Sequence, residues 1–319
     1  MCITLNIKQF SFNLKKDLIT SKHNIKNKHG WLIYIENPNG NRGWGEISDF
    51  GHINLANQNE ILSSLKNRKL IREEIEYGIK IWPRNIAFGL GSALAEMDGL
   101  NSKNDWLKAP KSAILLPEGE QAINKFEDLI EINTTTREQL TIKLKVGINP
   151  SKERNIILKI LDLASGNIKI RLDANGGWTR KEANYWAQVF LNDNRLEWLE
   201  EPLSAEDIEG LYQLAKLVPV ALDESLIKKP SLIKTWPGWQ VRKPLIDGDP
   251  RIILKELELG LGHRALSTAF ETGIGRRWVN HLSALQQRTT TPTAPGLAPG
   301  WCPEGPLFSE NPVEVWEAA

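Results

Sequence analysis

The sequence of 319 residues is poor in cysteine, in net charge and in long apolar runs, and each scarcity removes a class of protein. Its two cysteines, Cys2 and Cys302, show no paired spacing. That excludes a disulfide-stapled scaffold or a cysteine zinc site and suits a reducing compartment. Forty basic residues against 39 acidic ones leave a formal charge of +1. No global field then draws in nucleic acid or an anionic membrane, so the expected partner is a small molecule. The best apolar window, IAFGLGSALA at 86–95, is too short to span a bilayer, and the N-terminus has no continuous apolar h-region. A cytoplasmic protein without membrane contact is the expectation. Trp278, Trp301 and Trp316 are the one feature suggestive of stacking on bases, but no basic groove accompanies them and packing is the better reading.

With 41% hydrophobic and 25% charged residues, the chain has the composition of a globular protein with a full-sized core. Ile3, Leu5 and Ile7, then Phe10, Phe12 and Leu14, alternate with polar residues, and GWLIYIE (30–36) is a second strand-like run. A small antiparallel sheet is expected there. NPNGNRG (37–43) is a turn cluster, and the glycines of GWGEISDFG (43–51) suggest a loop able to approach another domain closely. Residues 56–102 read as mostly helical. Further on, alternating strands and helices start near SAILLP (112–117) and run through ALSTAFETGIG (265–275), with a last strand within 288–298. The tail, 288–306, has a linker's composition, but in a barrel it would leave the last strand and pack on the first domain.

Five apolar runs in the second region each end on a charge: TIKLKVG (141–147), IKIRLDAN (168–175), LEWLEEP (196–202), PVALDES (219–225) and WQVRKP (239–244). The charges Lys145, Asp173, Glu200, Asp223 and Lys243 stand 28, 27, 23 and 20 residues apart, room for one helix between successive strands. That pattern describes a β/α barrel, whose strand ends converge on one mouth. Each charge has a plainer reading alone. Lys143 and Lys145 could mark a half-exposed strand, Asp173 a turn with Asn175 and Gly176, and Glu200 or Lys243 a strand end before proline. Their joint order argues for a site. Three carboxylates cannot share a cavity as anions without a counter-charge, and their hard oxygen donors call for Mg²⁺, with Mn²⁺ as the alternative.

The motifs resemble those of the enolase superfamily, within its muconate-cycloisomerase-like subgroup and most closely its o-succinylbenzoate synthase family. GWGE (43–46) resembles the capping-domain signature, and KLK the K-x-K motif. LDAN, LEEP and LDES resemble the three metal-ligand motifs, RKP the second lysine motif and ETGIG the seventh-strand segment. The resemblance implies a (β/α)7β modified TIM barrel at 106–298, an α+β capping domain at 1–105, and a tail at 299–319 packing on the cap. It implies Asp173, Glu200 and Asp223 as Mg²⁺ ligands, Lys145 as general base, Lys243 as the facing lysine and Lys143 as an electrostatic neighbour. Ser267, Thr268 and Gly296 are candidate substrate contacts. Lys28, His29 and Gly30 depart from the family's pattern, and the stretch 15–30, read as a loop where specificity is expected to reside, aligns only loosely.

Superfamily enzymes remove a proton from the carbon beside a carboxylate, with a lysine or histidine base and a metal-stabilised ene-diolate. For this family the resemblance implies dehydration of a small carboxylate, 2-succinyl-6-hydroxy-2,4-cyclohexadiene-1-carboxylate, in menaquinone and phylloquinone biosynthesis. N-succinylamino-acid racemases, dipeptide epimerases and muconate cycloisomerases can present the same two lysines. A catalytically silent barrel that binds a small acid is the rival of another class, disfavoured because all five charged residues are intact.

Overall fold

The computed structural model describes residues 2–19, 24–48, 55–66, 69–100, 106–136 and 138–319. In chain order the elements begin with β1 (Cys2–Ile19), β2 (Asn24–Glu36), β3 (Arg42–Ser48), α1 (Leu55–Leu65), β4 (Leu70–Ile71), α2 (Arg72–Ile81) and α3 (Arg84–Met97). Then follow β5 (Ile114–Leu115), α4 (Gln121–Thr136), β6 (Leu140–Lys145), α5 (Pro150–Leu163), β7 (Ile168–Asp173), α6 (Arg180–Val189), β8 (Leu196–Glu200), α7 (Ile208–Leu214) and β9 (Val220–Leu222). The chain continues through α8 (Glu224–Lys228), α9 (Leu232–Thr235), β10 (Trp239–Arg242), α10 (Pro244–Asp247), α11 (Pro250–Glu258), β11 (Arg264–Leu266), α12 (Gly273–Gln286) and α13 (Pro312–Ala318). Two compact units result: Met1–Pro110 with Arg242–Gly262 and Leu266–Ala319, and Lys111–Val241 with His263–Ala265.

In the first unit, an antiparallel sheet has the order β3-β2-β1-β4. The break in phase between Ile7 and Phe10 has a structural meaning. Ile3 and Leu5 join Ile33, Ile35 and Ile47 in a core with Ile86, Leu90 and Leu94 of α3, whereas Phe10 packs on the opposite side with Leu32, Trp44, Ile274 and Val315. The sheet is thus buried on both faces. Trp316 of α13 lies edge-on to Tyr34 at 4.9 Å, and its carbonyl accepts from Lys8 Nζ at 2.8 Å.

GWGE is not a loop, as its glycines suggested, but the middle of β3, paired through its length with β2. Its glycines serve close packing instead of a turn. A Cβ on Gly43 would stand 1.8 Å from the Ala93 carbonyl oxygen, and one on Gly45 2.0 Å from that of Gly89, so only glycine lets α3 lie this close. The expected loop at 15–30 is also largely strand: β1 continues to Ile19 and β2 starts at Asn24. Residues 20–23, and the end of GWGEISDFG from 49, lie outside the described residues.

The larger sheet has seven strands in the order β11-β10-β9-β8-β7-β6-β5, with parallel pairs from β5 to β10. Parallel strands need helical crossovers, which the intervening segments supply. Asn149, Thr179 and Asp207 cap α5, α6 and α7 by accepting from Lys152 N, Glu182 N and Gly210 N. Ile142, Leu144, Ile170, Leu172, Leu199 and Leu222 form one core with Phe126 of α4 and with Ile160, Trp186 and Leu211 of those three helices. Two-residue alternation then leaves Lys143, Lys145, Arg171, Asp173 and Glu200 on the other face. The last strand expected in 288–298 is reduced, among the described residues, to one parallel bridge between Ser267 and Gly296.

Candidate active site

In the second unit, β6, β7 and β8 bring three of the five strand-end charges onto one rung: Lys145 pairs with Asp173, and Asp173 with Glu200. A register shift sets the last step. Ile170 pairs with Leu196, but Leu172 pairs with Leu199, so β8 carries one extra residue between them. Because side chains alternate faces, that bulge puts Glu200 beside Asp173; an unbroken ladder would put Leu199 there.

Lys143, one turn of the pleat below Lys145, binds both acids. Its Nζ lies 2.8 Å from Asp173 Oδ2 and 2.8 Å from Glu200 Oε1, with the two carboxylates nearly inaccessible. Burial works against the Lys143 ammonium, but the charges of Asp173 and Glu200 outweigh it and raise its pKa above the ordinary lysine value. Burial, then the neighbouring Asp173, pushes the Glu200 carboxyl up; Lys143 pulls it down, and Asp223 adds to the rise. Trp198 Nε1 donates to Glu200 Oε2 at 3.3 Å. Beneath this layer Arg171 stands 4.0 Å over the Trp198 ring and donates to Glu197 Oε2 at 2.6 Å.

Asp223 follows β9 and opens α8 as its N-cap residue. Its placement depends on Glu201, a residue the motif reading passed over. Glu201 has a left-handed backbone, φ 38°, rare for a residue with a long side chain. Its buried carboxylate accepts from Asp223 N at 2.9 Å, Ser225 N at 3.1 Å and Ser225 Oγ. Burial lifts this carboxyl to about 7, against the bonds from Ser225 and Asp223. The Glu201 carbonyl also accepts from Gly176 N at 2.7 Å, so one residue joins the ends of β7, β8 and β9. Asn175 and Gly176 both take positive φ, 45° and 75°, as a turn at this point requires.

The donors are all hard carboxylate oxygens, and the repulsion from Asp173 and Asp223 that adds to burial in raising Glu200 is what a divalent cation relieves, so the residues fit Mg²⁺ in chemistry. Among the described residues, no three His, Cys, Asp or Glu side chains gather closely enough to form a ligand cluster. Asp173 and Glu200 converge on the Lys143 ammonium instead, and Asp223 is fixed through its backbone by Glu201.

The remaining sequence-predicted residues lie in the first unit. Lys243 is the N-cap residue of α10, after Arg242, whose Nε donates to buried Asp247 at 2.7 Å. Ser267, Thr268 and Gly296 come together: Ser267 Oγ and Thr268 N donate to the Gly296 carbonyl at 3.1 and 3.0 Å. The Thr268 hydroxyl donates to Glu271 Oε2 at 2.6 Å and accepts from Phe270 N at 2.8 Å.

Residues 134–233 match the enolase C-terminal domain-like family. The chain is 29% identical over 283 residues to the o-succinylbenzoate synthase of Thermosynechococcus vestitus, covering 84% of this chain and 85% of that protein. With the o-succinylbenzoate synthase of Proteus mirabilis it shares 28% identity over 308 residues, 92% of this chain and 89% of the relative. The crystal structure of o-succinylbenzoate synthase from Thermosynechococcus elongatus, complexed with Mg in its active site, superposes with a TM-score of 0.80 at 26% identity, covering 99% of this chain and 100% of that one. In its fold, its relatives and the segment 134–233, the chain resembles the enolase C-terminal domain-like family and, over nearly its whole length, the o-succinylbenzoate synthases.

Proposed function

We propose that the protein is a Mg²⁺-dependent lyase that dehydrates 2-succinyl-6-hydroxy-2,4-cyclohexadiene-1-carboxylate to o-succinylbenzoate, a step of menaquinone or phylloquinone biosynthesis in the cytoplasm. The observation that carries this reading is the rung Lys145–Asp173–Glu200 above a lysine that binds both acids. The similarity to proteins named o-succinylbenzoate synthase supports the choice of substrate.

Asp173, Glu200 and Asp223 would hold the metal. Bound Mg²⁺ supplies a Lewis acid for the negative charge that grows on the substrate carboxylate as the adjacent carbon loses its proton. Lys145 Nζ takes that proton. The bond between the ring and its hydroxyl oxygen then breaks, Lys145 returns the proton to the departing oxygen as water leaves, and the electron pair completes the aromatic ring. Lys143, held charged by Asp173 and Glu200, keeps a positive charge one pleat from Lys145. Lys243 would supply a cation to the delocalised ring, worth about 0.5–2 kcal/mol. Ser267, Thr268 and Gly296 would contact the substrate.

The test is loss of cyclohexadiene absorbance on mixing protein and substrate, with and without Mg²⁺, using Lys145→Ala as control. Metal-dependent turnover that vanishes in the variant supports the reading. No turnover by folded, metal-bound protein rejects it and moves the question to deuterium exchange on N-succinylamino acids and dipeptides.

A further inference from the structure

Lys28 in β2 is only 1% exposed, a costly place for an ammonium unless it is bonded and neutralised. Its Nζ donates to the Ala269 carbonyl at 2.5 Å. Burial pushes the Glu46 carboxyl of β3 up, and the Lys28 charge opposes that rise, so the two form one buried electrostatic group. Glu46 Oε2 accepts from Thr272 N at 2.8 Å, Thr272 Oγ1 at 2.6 Å and Gly275 N at 3.2 Å; its Oε1 accepts from Ser48 Oγ at 2.9 Å. Thr272, the N-cap residue of α12, makes no side-chain cap of its own, and the Glu46 carboxylate does this from another strand, where the helix dipole favours an anion. A Cβ on Gly275 would stand 2.7 Å from Glu46 Oε2. The GWGE and ETGIG motifs are therefore two halves of one contact.

The contact acts on the chain that leaves β11. Between Ser267 and Thr272, Glu271 accepts from Thr268 Oγ1 and Ala269 N, and Phe270 is held at φ 61°, a conformation an aromatic residue adopts only when its surroundings impose it. We infer that Lys28 and Glu46 are positioning residues: from β2 and β3 they fix the backbone of 267–275 and thereby set the aim of Ser267 and Thr268. This rests on the proposed function insofar as those two residues contact substrate. The departure at Lys28, His29 and Gly30 then has a physical meaning, since the long cation at 28 reaches a carbonyl of the segment it positions.

The experiment compares full-length wild type with Lys28→Met, Lys28→Arg and Glu46→Gln by amide hydrogen exchange and by steady-state kinetics on the cyclohexadiene substrate. Lys28→Met is expected to speed exchange in 267–275 while strand β6 keeps its protection. Its kcat/KM should fall by about 10²-fold, the effect of a misplacement on the order of 1 Å, mostly through KM. Lys28→Arg, which keeps charge and donor, should recover most of both effects. Unchanged local exchange, or loss of protection spread evenly over the chain, would overturn the inference. Should Lys28→Met not fold, Glu46→Gln is judged by the same two criteria. Absence of wild-type turnover would defeat the proposed reaction alone, because local exchange still decides the positioning role.

Discussion

Lys143 and Glu200, 57 residues apart in sequence, are joined at 2.8 Å between Nζ and Oε1. That bond, with its twin to Asp173, makes one lysine the counter-cation of two buried acids. The proposed base, Lys145, lies on the same face one pleat away and pairs with Asp173 in the sheet.

Lys145→Ala should lower turnover by at least 10²–10⁴-fold, the usual worth of a positioned general base, with little change in Tm. Lys145 lies outside the apolar core, so removing it leaves little to repack. Initial rates and circular dichroism on the same sample check both halves. Chelation of the metal should abolish the rate in wild type and Mg²⁺ should restore it.

Lys143→Met leaves Asp173 and Glu200 buried together without their ammonium. The metal-free variant should lose about 3–5 kcal/mol, the cost of breaking a buried pair from one side. Urea unfolding in EDTA and in saturating Mg²⁺ provides the measurement. Mg²⁺ should narrow the gap to wild type, since a bound cation replaces the missing charge, and an equal gap in both conditions would refute this role for the ammonium.

Asp193 accepts three side-chain bonds from Arg195, at 2.6, 2.9 and 3.1 Å, and these hold its pKa below the ordinary aspartate value. A carboxyl with a depressed folded pKa contributes stability that is fully present above its unfolded value, about 3.9. The contribution disappears as pH falls through the folded pKa. Asp193→Asn should therefore be less stable than wild type at neutral pH, and the two should converge below about pH 4. Tm measured across pH 2–7 would show it.

Gly45→Ala would place a methyl 2.0 Å from the Gly89 carbonyl oxygen, both atoms being fixed in backbone. Overpacking of this kind costs about 1–3 kcal/mol, more where neither side can yield. Urea midpoints of the two proteins should differ accordingly. An unchanged midpoint would mean that α3 can move off β3.

The alternation TIKLKVG, with IKIRLDAN, LEWLEEP, PVALDES and WQVRKP after it, was enough to define parallel strands and to put Lys145, Asp173, Glu200 and Asp223 at their ends. The break in phase between Ile7 and Phe10 was equally visible, and its consequence, two buried faces, follows from strand geometry. GWGE was misread because glycine signals both turns and close packing, and local sequence cannot distinguish them. The helix that needs the space, α3, begins 41 residues beyond Gly43.

By itself the sequence determined which residues are apolar, at what period, and which charges stand at strand ends, because side-chain direction along a strand is a local property. Tertiary structure decided the rest, since each item depends on partners remote in sequence. The extra residue in β8 brings Glu200 level with Asp173. Glu201, whose sequence position resembles a spare acid, ties Asp223 and Ser225 to the end of β8. Lys28, an ordinary lysine in a polar stretch, becomes a buried cation only when the chain after β11 closes over it.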